Sequence, residues 1–142
     1  MMKYPIKFQA RADASFGIQA HWQANCGQNM TKCSIPPEFE GPGGAFSPED
    51  FFALALTNCF LGTFKVYAEK SKANFENIYA HSELSLDLDE RGCPMMKSFD
   101  LNILIKGAAS RERLEVLAQK AFQSGFILNS VKTKITLKIE FE

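Results

Sequence analysis

Gly43-Gly44-Ala45-Phe46-Ser47-Pro48-Glu49-Asp50-Phe51-Phe52 leads, four residues later, into Thr57-Asn58-Cys59-Phe60. This stretch decides how the rest is read. Serine before proline is a helix start: the hydroxyl can cap a free backbone N–H, and proline at the first helical position lacks the N–H that would go unpaired. Glu49 and Asp50 then place negative charge at the positive end of the helix dipole. The pattern predicts a helix from Pro48 to about Lys72, with Asn74 as the stop. Between Phe51 and Ala68 apolar residues fall on nearly every side, so the helix must be surrounded. Thr57, Asn58, Gly62, Thr63 and Lys65 interrupt the apolar run, which reads as a core helix rather than a membrane span.

Outward from this helix, the flanks alternate. Tyr4, Ile6, Phe8 and Ala10 form one row, and Phe16, Ile18, Ala20, Trp22 and Ala24 a second, together a hairpin. Ile78, Ala80, Leu84, Leu86 and Leu88 share a face; Phe99, Leu101, Ile103 and Ile105 form another row, and Ile135, Leu137, Ile139 and Phe141 the last. One apolar and one polar face per strand predicts antiparallel sheet. A second, amphipathic helix starts after Ser110 and carries Leu114, Leu117, Ala118, Ala121 and Phe122, with Gly125 where a left-handed cap belongs. Asn25 to Ala45, rich in Gly and Pro, reads as a long ordered loop with one short strand at Thr31 to Ile35. The class is α+β, one domain over residues 1–142. A buried helix of six or seven turns is more than one subunit of this size readily covers, which points to a homodimer. The alternative is that the Cys26 to Ala45 loop covers it.

Sixteen basic residues balance sixteen acidic ones without long runs of one sign. No nucleic-acid or membrane partner is therefore expected. The N-terminus enters alternating sequence without the apolar stretch of a signal peptide, so a cytoplasmic location is expected. Cys26, Cys33, Cys59 and Cys93 match no zinc or CxxC spacing and read as free thiols. His21 with Cys26 and Cys33 is the one loose metal-ligand set, and its spacing is unlike that of known sites. Neither metal nor cofactor is expected.

The glycine-rich approach, the Pro-Glu helix start and the helix cysteine, with two strands, a helix, an Asn129-Ser130 turn and a final strand downstream, resemble the OsmC/Ohr family (osmotically inducible protein C / organic hydroperoxide resistance). The likeness covers roughly residues 41 to 142. It implies an OsmC-like fold in an intertwined homodimer. It also implies a peroxidatic thiol at Cys59, with Glu49 as the carboxylate that holds an activating arginine. Arg11 is the sole N-terminal candidate for that arginine; its parity equally suits a solvated strand end. From the residues alone, Cys59 is a small buried hydrophobe and Glu49 a helix-capping acid.

Two-cysteine members of the family carry a resolving cysteine after the second helix. Gly125 stands in its place and Phe126 in that of the following proline. Three readings remain open. A one-cysteine hydroperoxide-reducing protein of oxidative-stress defence would use an outside thiol reductant. Cys26, Cys33 or Cys93 could instead resolve the oxidised thiol. Or the scaffold could be a non-enzymatic binding protein, holding an apolar small molecule at the dimer interface with Phe51, Phe52, Phe60, Phe64 and Phe126 as lining.

Overall fold

The computed structural model describes residues 2–142. The chain forms two compact units, one ending at Phe51 and one spanning Phe52–Glu142.

The first unit holds three short strands, β1 (Arg11–Asp13), β2 (Trp22–Cys26) and β3 (Asn29–Cys33), paired antiparallel in that order. The hairpin expected from Tyr4 to Ala24 is thus much reduced. Only Arg11–Asp13 finds a partner, opposite Gln23–Asn25. Residues 4–10 form no strand, and Phe8 and Phe16 are almost wholly exposed at 93% and 104%. Alternation marks a segment able to pair; the pairing itself needs a neighbouring strand, and among the described residues none pairs with that segment. The expected short strand at Thr31 to Ile35 lies two residues earlier. The glycine pair of the opening motif makes a turn, Gly43 and Gly44 both being left-handed at φ 64° and 74°.

Helix α1 (Pro48–Lys70) starts as predicted. Ser47 Oγ accepts the Asp50 N–H at 3.0 Å and Asp50 Oδ2 accepts the Ser47 N–H at 2.9 Å, a reciprocal cap. Its end differs from the expectation at Asn74. Lys72 adopts the left-handed conformation at φ 53°, its N–H bonded to Glu69 O, while the Ala73 N–H bonds Ala68 O. That pair of bonds closes the last carbonyls, and the buried Ala73 anchors the turn.

The second unit contains β4 (Asn77–Leu88), β5 (Pro94–Lys106), α2 (Arg111–Ser124) and β6 (Lys134–Phe141), with β5 in the centre of the sheet. β4 and β5 are antiparallel, but β5 and β6 run parallel. The expectation of a purely antiparallel sheet is therefore corrected: α2 is a crossover that returns the chain to begin β6 in the same direction as β5. The fold remains α+β. Phe99, Leu101, Ile103 and Ile105 of β5 form the buried row, in one cluster with Leu56, Phe60, Phe64 and Ala68 of α1 and Leu114, Ala118 and Ala121 of α2. A register shift at Ser85/Leu86 turns Leu86 and Leu88 out of the row predicted for them, to 44% and 51% exposure.

α1 is long and apolar enough to cross a bilayer by length and composition. Its buried residues nevertheless recur about every four positions on one face of a protein core. Leu54, Ala55, Asn58, Gly62 and Val66 lie exposed on other sides. The surrounding that its composition calls for is thus incomplete in one chain.

Candidate functional site

Cys59 sits at mid-length in α1, half-buried and packed against the core. Helix spacing puts it beside Ala55, Leu56, Gly62 and Thr63, none of them charged. At mid-helix neither end of the α1 dipole acts on it strongly.

What it meets comes from the far end of α2. A β-carbon at position 125 would lie 2.9 Å from Cys59 Sγ and 2.9 Å from Leu128 Cδ1. Gly125 is thus in contact with the thiol. The expected left-handed cap is corrected: Gly125 has φ −62° and ψ 130°, an extended conformation open to any residue. Its N–H closes the last turn of α2 on Ala121 O, and its carbonyl accepts the Asn129 N–H at 3.0 Å, so the chain runs straight into the next short turn instead of reversing through a left-handed residue. Backbone geometry gives no reason for glycine here. A β-carbon there would make the Cys59 sulfur or the Leu128 methyl, both ends of side chains, shift.

Several hydrogen bonds fix this approach, and the sequence reading had missed them. Tyr67 OH on α1 lies 2.7 Å from Ser124 Oγ, which also donates to Lys120 O at 2.7 Å. Lys120 Nζ stands 4.6 Å from the centre of the Tyr67 ring. After the helix, Asn129 Nδ2 donates to Gln123 O and Ser130 Oγ to Phe126 O. The Asn129-Ser130 pair read as a turn is therefore a latch that returns the chain beside Gly125. The signal for Tyr67 and Ser124 was absent from the sequence, because two hydroxyls far apart in the chain carry no periodicity.

The end of α2 presents carbonyl oxygens, the negative end of its dipole. Among the described residues the three ion pairs are Arg91–Asp89, Lys106–Glu142 and Lys138–Glu140, and none involves either α-helix. Glu49 lies ten residues before Cys59 on α1, about 15 Å along the axis at the usual rise. Its Oε1 is buried without a hydrogen-bond partner. Arg11, at the start of β1 opposite Asn25, is exposed and makes no ion pair with Glu49. One chain thus does not bring Arg11 to Glu49.

His21 Nε2 lies 2.8 Å from Gly43 O instead of converging with two thiols: across the β2–β3 ladder Cys33 opposes Trp22, whereas Cys26 opposes Asn29 at the other end. Phe60 and Phe64, proposed as ligand lining, are fully buried and stacked at 5.9 Å between ring centres, so they are core. Phe51 and Phe126 are exposed.

Residues 41–140 match the family model described as OsmC-like protein. The uncharacterized protein YmaD of Bacillus subtilis is 25% identical over 141 residues, covering 91% of this chain and 94% of its own. An OsmC-like protein of unknown function from Vibrio cholerae shares the fold with TM-score 0.85 at 18% identity, over 96% of this chain and all of that one. An organic hydroperoxide resistance protein OsmC from Legionella pneumophila has TM-score 0.73 at 25% identity, over 99% of both chains.

Proposed function

Since this chain belongs to the OsmC-like protein family, we propose that it is a thiol-dependent hydroperoxide-reducing protein of oxidative-stress defence, with Cys59 as the reacting group, working as a cytoplasmic homodimer. The Cys59 sulfur, as thiolate, attacks the peroxide O–O bond. One oxygen passes to sulfur, giving the sulfenic acid, and the other leaves with a proton as the alcohol, so sulfur is oxidised while the peroxide is reduced. The observation that carries the reading is the contact between Cys59 Sγ and position 125, where two-cysteine relatives keep the second thiol of a redox pair.

The reaction needs a cation beside the thiolate. The orphaned Glu49 Oε1 supports its source: a buried acceptor is costly without a donor, and a guanidinium held on Glu49 would supply one. The family resemblance gives that role to Arg11, which one chain leaves apart from Glu49, and because Glu49 cannot reach Cys59 along one helix, Glu49 acts on Cys59 of the partner subunit. The exposed side of α1 is the surface on which the two copies meet. Organic hydroperoxides are the expected substrates, and the exposed Phe126, next to Gly125, suits an apolar alkyl group.

The test is consumption of cumene hydroperoxide in the presence of a dithiol, comparing wild type with Cys59→Ser. Loss of activity in the variant supports the reading. Equal activity, or none in either protein, favours the non-enzymatic binding of an apolar molecule.

A further inference from the structure

Tyr67 lies eight residues after Cys59 on α1, about 12 Å along the axis. Helical side chains lean toward the N-terminus, so its long ring reaches back toward the turn that carries the thiol. There α2 grips it twice. Lys120 Nζ stands 4.6 Å from the ring centre, and the hydroxyl lies 2.7 Å from Ser124 Oγ. A serine hydroxyl has one proton, and that of Ser124 goes to Lys120 O at 2.7 Å, so Tyr67 is the donor in the pair. Among the described residues this is the only side-chain hydrogen bond between α1 and α2. The other polar tie, from Arg113 to Ser71 O just past α1, is at the opposite end of α2. Leu114, Ala118 and Ala121 bury the middle of α2 in the core, and Ser124 and Gly125 lie beyond the last of them.

We propose that Tyr67 is a positioning residue for Cys59, acting through Ser124 to fix the Gly125 backbone against the sulfur. The path closes on itself. It runs from Cys59 along α1 to Tyr67, across the hydroxyl pair to Ser124, and over one peptide to Gly125, where a β-carbon would stand 2.9 Å from Cys59 Sγ. The sulfur turns about a single bond, and the Gly125 backbone bounds that turn on one side. With the hydroxyl pair broken, the end of α2 is held by its own ladder and by the buried Leu128 beyond it, and neither ties it to the Tyr67 turn of α1. The sulfur then samples more directions, and fewer of them suit attack on a peroxide. Only this last consequence rests on Cys59 being the reacting thiol; the positioning itself does not.

The test reads the contact through a disulfide and needs no peroxide. In Gly125→Cys, the equilibrium between Cys59 and the introduced thiol is measured in glutathione redox buffers by non-reducing peptide mapping. Tyr67→Phe on that background is expected to lower the disulfide equilibrium constant at least fivefold, about 20 mV for a two-electron couple. Ser124→Ala should do the same, and the two together no more than either, because they break one bond. Ser124→Thr keeps the hydroxyl and should restore the equilibrium. Ile139→Val loosens the same core away from the bond and should leave the equilibrium unchanged, so a general loss of stability does not imitate the effect. An equilibrium unmoved by Tyr67→Phe, additive effects of the two substitutions, or an equal shift in Ile139→Val would overturn the proposal. So would the absence of any Cys59 disulfide in Gly125→Cys. A fivefold shift together with no peroxide consumption by wild type would end the peroxidase reading and still support Tyr67 as the residue that sets the contact.

Discussion

Tyr67 on α1 and Ser124 in the last turn of α2 share a hydrogen bond of 2.7 Å, one residue from the backbone that lies on the Cys59 thiol. The bond ties the end of one helix to the side of the other and so holds the Cys59 contact in register. Tyr67→Phe removes the hydroxyl and keeps the ring under Lys120. It is expected to lower stability by about 1 kcal/mol in urea unfolding. The Gly125 amide, bonded to Ala121 O, should then exchange faster in hydrogen-exchange measurements. An unchanged exchange rate would show that the Tyr67–Ser124 bond is dispensable.

Gly125→Cys should join Cys59 under mild oxidation. The β-carbon position at 125 is 2.9 Å from Sγ, and one C–S and one S–S bond separate the corresponding atoms of a disulfide by about 3 Å. The extended backbone accepts an L residue without left-handed strain. Non-reducing peptide mapping checks the link. Wild type, oxidised alike, should show no disulfide from Cys59 to Cys26, Cys33 or Cys93; finding one would make that cysteine the resolver.

Substoichiometric hydroperoxide with a sulfenic-acid trap should label Cys59 before the other thiols, and excess peroxide should carry it to the sulfinic acid. Cys26 and Cys93 are more exposed than Cys59, so exposure alone predicts the opposite order. Label on those two with Cys59 spared would mean that the helix thiol is structural.

Subunit sharing gives a complementation test. Cys59→Ser and Glu49→Gln should each be inactive alone. Mixed as hybrid dimers, the Cys59 of one chain regains an intact Glu49 from the other, and peroxide consumption should return. Continued inactivity of proven hybrids would place Glu49 and Cys59 in same-chain sites. Light scattering at micromolar concentration should give the mass of two chains, and a monomer would count against the assembly.

The β4–β5 turn should be sensitive to acid. Asp89 Oδ1 accepts the Cys93 N–H at 2.9 Å and the Arg91 N–H at 2.8 Å. The Cys93 backbone bond chiefly, aided by the Arg91 contacts and the nearby Lys97 charge, holds its carboxyl below the usual value. A lowered folded pKa means that the ionised carboxylate stabilises the turn. That contribution is full above the ordinary carboxylate range and fades as pH falls through the lower folded value. The Cys93 amide should therefore lose exchange protection at strongly acidic pH, and in Asp89→Asn already at neutral pH. Protection unaffected by the substitution would assign the turn to its backbone bonds alone.

The elements legible in the sequence are those set by neighbouring residues. Ser47, Pro48 and Asp50 fix the start of α1 through bonds spanning three positions, and the alternation of Phe99, Leu101, Ile103 and Ile105 announces a covered strand face. The motif around Cys59 and the place of Gly125 were equally readable, because residue types in order carry them. The parallel pairing of β5 with β6, the unpaired residues 4–10, the exposed Leu86 and Leu88, and the extended Gly125 lying on the Cys59 sulfur were not. Periodicity states that a strand has a buried face, whereas strand direction, register shifts and the approach of two helices depend on hydrogen bonds and packing between segments far apart in the chain. The sequence by itself determined which thiol to consider and which sulfur is missing; only the tertiary structure decided that position 125 lies against that thiol, because the contact joins two helices far apart in the chain.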